Sequence, residues 1–95
     1  MIIADVPVAH PAAVTTIQLV DNKFKPRRKT VRRGTTVRFV WAGKNEHNVT
    51  AYSGPVTFHS KTQTTGTYTK RLTRKGTYQL TCTVHASMLL TIKVR

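Results

Sequence analysis

This sequence predicts an all-β protein. Thr is very abundant, and Val, Ile, Tyr and Phe recur in short runs, residue types that suit a pleated, half-buried surface. No stretch of helical length carries apolar residues at i, i+3, i+4 and i+7. The apolar positions instead alternate with polar ones between Gly, Pro and Asn/Asp turn signals. At 95 residues the chain is expected to form a single domain, residues 1–95, with one core.

Residues 1–13 read as an irregular lead-in or edge strand, because Pro7 and Pro11 interrupt regular pairing. Thr15 to Val20 is a strand with Ile17 and Leu19 on one face, and Asp21-Asn22 turns it. Phe24-Lys25-Pro26 and a basic run follow, ending where Gly34 turns the chain. Thr36 to Ala42 alternates most clearly, with Val37, Phe39 and Trp41 on one face. Gly43-Lys44-Asn45 is a loop, after which His47 and Val49 share a face. Gly54-Pro55 turns into a short strand, Val56 to Phe58, and residues 59–66 are polar and loop-like. Thr67 to Thr73 aligns Tyr68 with Leu72, and Arg74-Lys75-Gly76 reads as a hairpin-type turn. Thr77 to Cys82 puts Tyr78, Leu80 and Cys82 on one face. A loop from Thr83 to Met88 leads to a last strand with Leu90, Ile92 and Val94 inward. Short strands at this spacing suggest a two-sheet sandwich or a barrel.

Sixteen Lys and Arg face only three acids, Asp5, Asp21 and Glu46, for a formal net charge of +13. Such a field attracts anionic partners and speeds encounter with them, whether nucleic acid, an anionic membrane surface or an acidic protein. Lys23 to Arg33 holds seven basic residues in eleven, and Lys25, Arg27, Arg28, Lys29, Arg32 and Arg33 form a candidate docking patch. The plain reading of the same run is a solvated strand edge, where charge discourages edge-to-edge pairing. One cysteine permits no intramolecular disulfide, and no apolar run is long enough for a membrane-spanning helix. Met1 to Ala4 is too short for a signal-peptide core, so the chain reads either as cytosolic or as a mature form with a start Met.

Chemistry concentrates in Cys82-Thr83-Val84-His85-Ala86-Ser87-Met88. A thiolate, an imidazole and a thioether lie within seven residues at the end of a strand, and Cys82 has inward phase. His47, also of inward phase, supplies a second imidazole. Two imidazoles and a thiolate in a plane, with a weak axial thioether, make up a blue-copper ligand set. The thiolate favours Cu(I), the imidazoles accept Cu(I) and Cu(II), and a rigid β scaffold limits reorganisation between them. The plain readings are a buried small Cys, a core Met and a satisfied core His. Spacing sets the metal reading above them. Zinc also accepts Cys and His.

Gly76 to Cys82, the loop after it and the closing strand resemble the C-terminal half of the plastocyanin- and amicyanin-type cupredoxins. The gap between His85 and Met88 is similar to the short amicyanin loop, and Phe24-Lys25-Pro26, Val31, Gly34 to Val37, Trp41 and His47-Asn48-Val49 also match. The resemblance spans roughly residues 15–95. It implies an antiparallel Greek-key two-sheet β-sandwich with one copper at one end, held by His47, Cys82, His85 and Met88. It also implies that Asn48 ties the two ligand-bearing loops together, and that His85, with Ala86 beside it, is the electron exit. Location in the periplasm or outside the cell follows by analogy. Departures are Ala86, where relatives often have Pro, and Leu89-Leu90, where many have Gly soon after the Met.

The expected function is one-electron transfer to a redox protein with an acidic docking face, by a monomer without a membrane span. A copper carrier or storage module uses the same ligands. A basic polyanion-binding domain is the third reading, weakened because Phe24 stands nearly alone as a stacking aromatic in the basic run. No enzyme is expected: acids are too few for a Ser-His-acid set, and four His cannot furnish a multicopper cluster beside the site. Phe39, Trp41, Phe58 and Tyr78 read as core aromatics, and His10 and His59 as solvent-facing residues without a role.

Overall fold

A computed structural model describes residues 13–95. The lead-in expected at residues 1–13, and His10 within it, lie outside the described residues but for residue 13. Nine strands form: β1 (Val14–Val20), β2 (Lys23–Lys25), β3 (Arg28–Val31), β4 (Thr35–Trp41), β5 (Thr50–Ser53), β6 (Phe58–His59), β7 (Thr67–Leu72), β8 (Gly76–Cys82) and β9 (His85–Val94). They build a four-stranded sheet, β2-β1-β4-β7, and a five-stranded sheet, β3-β9-β8-β5-β6. No helix occurs among the described residues, and none is long and apolar enough to cross a membrane.

Alternation decides what each strand buries. The first sheet contributes Ile17, Leu19, Phe24, Val37, Phe39, Trp41 and Leu72. The second contributes Val31, Ala51, Tyr78, Leu80, Cys82, Met88, Leu90, Ile92 and Val94. These residues, with Val49, form one core cluster between the sheets. Burying a large apolar side chain is worth about 1.5–3 kcal/mol, so this layer holds the sheets face to face.

Four features differ from the sequence expectation. β1 pairs parallel with β4, and β3 parallel with β9, within an otherwise antiparallel sandwich. The chain leaves the first sheet after β2, runs through β3 in the second and returns as β4, the crossover that a parallel pair requires. Arg74 to Gly76 is not a hairpin turn, because β7 pairs with β4 and β8 with β9 and β5. It is a corner between sheets, pinned by the buried Tyr78 hydroxyl donating to the Arg74 carbonyl at 2.9 Å. That is the geometry of a tyrosine corner. Val56 is 37% exposed outside any strand; the short strand is Phe58–His59, paired with β5. Finally, β9 begins at His85. Thr83-Val84 makes a two-residue turn that sets Cys82 opposite His85. Thr81 and Cys82 pair with Leu89 and His85, so Ala86, Ser87 and Met88 bulge out of the ladder.

Candidate metal centre

The first side of the site comes from the crossing between β4 and β5. His47 forms an isolated antiparallel bridge with Gln63, each N–H donating to the other's carbonyl at 3.0 Å. The Trp41 indole Nε1–H also donates to the His47 carbonyl, at 2.9 Å. The backbone of His47 is thereby fixed before its side chain is considered, and the ring is fully buried.

Its two nitrogens face different groups. Nδ1 lies 3.9 Å from the Cys82 sulfur. Nε2 lies 3.7 Å from Asp21 Oδ1 and has no hydrogen-bond partner among the described residues. The 3.9 Å separation is long for a hydrogen bond but close to ligand spacing. Two ligands with bonds of about 2.0 and 2.3 Å, at an angle of about 110–120°, stand ~3.5–3.7 Å apart on one first-row metal. The donor chemistry and this spacing fit a copper ion.

The second side comes from the β8–β9 turn. Cys82 is fully buried, and the Asn48 backbone N–H donates to its sulfur at 3.4 Å. A hydrogen bond to a ligating sulfur tunes the metal it would hold. His85 is partly exposed; its ring centroid is 4.8 Å from that of His47, and its Nε2 is 3.2 Å from the Glu46 carbonyl. A carbonyl only accepts, so in that contact Nε2–H is the donor. Met88 is fully buried in the same core cluster as Cys82. Among the described residues no three His, Cys, Asp or Glu side chains converge tightly enough to hold a metal by themselves. His47 Nδ1 and the Cys82 sulfur are 3.9 Å apart, and the His85 ring is tilted by 53° against that of His47.

Asn48 is 4% exposed and joins the two sides. Its amide donates to Thr62 Oγ1 at 3.0 Å and Thr83 Oγ1 at 2.7 Å. Its carbonyl accepts from the Thr83 N–H at 3.1 Å and the Thr50 hydroxyl at 2.9 Å. Ser60, also buried, accepts the Val49 N–H at 2.9 Å and so anchors the strand after His47.

Burial holds the His47 imidazole below the usual histidine range, with the neighbouring His85 acting in the same direction and Asp21 opposing both. A neutral imidazole is the form that binds metal. Backbone N–H groups of Asn45 and Lys44 hold the Asp21 carboxyl below its ordinary value. Asp21 and Trp41 are contributors that sequence reasoning read as a turn residue and a core aromatic. Asp21 had one available signal: it is one of three acids in a chain of charge +13.

Outside the site, Ala86 is exposed and Val84 is 50% exposed beside His85. Tyr52, Thr81, Cys82, Thr83, Ala86 and Leu89 line a shallow hollow there. The basic residues Lys25, Arg27, Arg28, Lys29, Arg32 and Arg33 are all exposed; Lys25 lies on β2 and Arg28 and Lys29 on β3, the edge strands of the two sheets, and the others lie beside β3. Arg28 is level with Gln79 through Thr91, and Val31 level with Gly76 through Val94. At ~3.3 Å per residue β3 descends from ~10 to ~20 Å below Cys82. Arg32 and Arg33 end beside Arg95 around one hollow at the far end. His59 is exposed, pairs with Thr50 in the ladder between β5 and β6, and its Nδ1 lies 3.2 Å from the Ser60 carbonyl.

Two β-sheets packed face to face, with a buried thiol and imidazole at metal-ligand spacing at one end, define a copper-binding cupredoxin. The chain belongs to the plastocyanin/azurin family of copper-binding proteins, whose sequence profile matches residues 11–95. Among solved structures it is similar to a copper-containing nitrite reductase from Thermus scotoductus SA-01, at 25% identity and TM-score 0.77. That match takes in 99% of this chain but only 25% of the reductase chain. A reduced tryptophan-to-tyrosine variant of amicyanin aligns at 20% identity and TM-score 0.75, over 92% of this chain and 87% of its own. A purple cupredoxin from Nitrosopumilus maritimus aligns at 17% identity and TM-score 0.76, over 84% of this chain and 98% of its own. No curated protein sequence matches the chain.

Proposed function

We propose that this protein is a one-electron carrier whose copper would be held by His47, Cys82, His85 and Met88. The observation that carries the reading is the buried His47 Nδ1 at 3.9 Å from the Cys82 sulfur. Family membership supports it. Copper supplies a reversible Cu(II)/Cu(I) couple when bound. The chain's own residues exclude water from Cys82, keep His47 neutral, and hold the two sides of the site at fixed separation through Asn48. Small reorganisation between oxidation states follows from that rigidity. The partly exposed His85, flanked by Val84 and Ala86, is the exit for the electron.

The partner is a redox protein with an acidic face, drawn in by the +13 charge. The protein acts as a monomer, in the periplasm or outside the cell, as a carrier and not as a catalyst. The deciding experiment adds one equivalent of Cu(II) to the wild type and to Cys82→Ser. An intense blue band in the first and its loss in the second are expected. A colourless wild type refutes the carrier reading, and release of the metal on reduction favours copper storage instead.

A further inference from the structure

We propose that Asp21 is a positioning residue of the copper centre: its carboxylate faces His47 Nε2, fixes the ring with Nδ1 unprotonated towards Cys82, and favours Cu(II) over Cu(I). The inference rests on the copper reading above and deepens it.

The geometry centres on one oxygen. Asp21 Oδ1 accepts the Lys44 N–H at 2.9 Å and the Asn45 N–H at 3.1 Å, and lies 3.7 Å from His47 Nε2. His47 Nε2 is buried with no hydrogen-bond partner among the described residues, and this carboxylate oxygen faces it at 3.7 Å. The chain is shaped for the approach. Asn22, directly after Asp21, has φ of 67° and turns the carboxylate's strand end, while a Cβ at Gly43 would collide with the Asp21 carboxylate and come within 2.9 Å of its backbone nitrogen. Two backbone N–H donors on one oxygen favour the charged form of the carboxylate.

An anion behind a metal-bound imidazole fixes its tautomer and raises its basicity. The more electron-rich ligand stabilises the higher charge on Cu(II). Copper, when bound, would supply the one-electron Cu(II)/Cu(I) couple, and Asp21 would act on it only through the His47 ring. Loss of such a partner changes metal affinity by about 10–100-fold. Because the Asp21 side chain is 44% exposed, the low end applies, about tenfold in the Cu(I)-to-Cu(II) affinity ratio.

The test compares wild type, Asp21→Asn and Asp21→Ala. Asn can still accept from Lys44 and Asn45, so it removes charge while keeping the loop clamp; Ala removes both. Redox titration of the copper-loaded proteins should show Asp21→Asn raised by ~59 mV, the one-electron equivalent of tenfold, with the blue band and unfolding temperature retained. A blue Asp21→Asn protein at the wild-type potential overturns the electronic part. ¹⁵N NMR of the His47 ring in copper-free protein tests positioning without the metal. Wild type should show the Nε2–H tautomer and Asp21→Ala a mixture of tautomers. An unchanged tautomer in Asp21→Ala overturns the positioning role. A wild type that forms no blue centre fails the copper reading, and the electronic part with it, while the NMR result still decides the positioning part.

Discussion

Replacing Asn48 by Ala removes one buried side chain and four hydrogen bonds, to Thr62, Thr50 and twice to Thr83. The backbone N–H of residue 48 that points at the Cys82 sulfur is left in place. Each hydrogen bond contributes about 0.5–1.5 kcal/mol net. Thr62 and Thr83 are exposed, so their freed groups find water, and the low end of that range applies. The sum is about 2–3 kcal/mol. For a protein of this size each kcal/mol lowers the melting temperature by about 4–8 °C, so Asn48→Ala should melt about 8–24 °C lower.

Thermal unfolding of the copper-free proteins, followed by circular dichroism, measures this without the metal's own stabilisation. A double-mutant cycle with Thr83→Val isolates the shortest bond, the 2.7 Å contact between the Asn48 amide and Thr83 Oγ1. Residues in one network couple by about 0.5 kcal/mol or more. Coupling near zero, or an Asn48→Ala protein melting within a degree or two of wild type, would show that the two sides of the site are held by the sheets alone. In that case Asn48 has no part in joining them.

Other consequences can be checked on the same preparations. Tyr78→Phe should cost about 1 kcal/mol, because it removes the bond from the Tyr78 hydroxyl to the Arg74 carbonyl that pins the corner between sheets. Burial pushes the hydroxyls of Tyr68 and Tyr78 above their ordinary value of 10.0. The unfolded chain therefore releases these protons first, so stability is full below about pH 10 and falls as pH rises through the higher folded values. A melting temperature that is flat across that window contradicts the assignment, and Tyr78→Phe should shrink the slope. Gly43→Ala should lower the melting temperature by about 4–8 °C, since its Cβ meets Asp21. A neutral result there would mean that the 43–46 loop yields freely.

Much of this was legible in the sequence because alternation reports directly on burial. Ile17 and Leu19, Val37 to Trp41, and Tyr78 to Cys82 read inward and are inward. The seven-residue Cys82 to Met88 stretch drew attention to the site for a local reason: thiol, imidazole and thioether lie close along the chain. What escaped is non-local. Alternation tells which face a residue is on, not which strand lies beside it. Arg74-Lys75-Gly76 therefore looked like a hairpin although its strands lie in different sheets. Thr50 to Ser53 was passed over as a strand because only Ala51 is buried in it. Asp21 looked like a turn former; its bonds go to Lys44 and Asn45, 23 and 24 residues away, and no periodicity encodes that.

Charge placement separates attraction from contact. On a chain of +13, two of the three acids, Asp21 and Glu46, stand at the end that carries His47 and His85. The basic run begins on β2, where Lys23 pairs with Val20 beside Asp21, and from Arg28 it leads along β3 to Arg32, Arg33 and Arg95, away from that end. The surface at His85 is instead apolar, with Val84 half exposed and Ala86 exposed. On the electron-carrier proposal, an acidic partner would be drawn by a field that it need not touch closely and would dock on the apolar surface around His85. Exposed charges are screened over about 8 Å at physiological salt. Raising the salt should therefore slow association with an acidic redox partner steeply and leave electron transfer within the formed complex nearly unchanged. Stopped-flow measurement at increasing partner concentration separates the two rates. If the saturated rate fell with salt as steeply as the association rate, the basic edge would be part of the contact itself, and His85 would not be the sole point of docking.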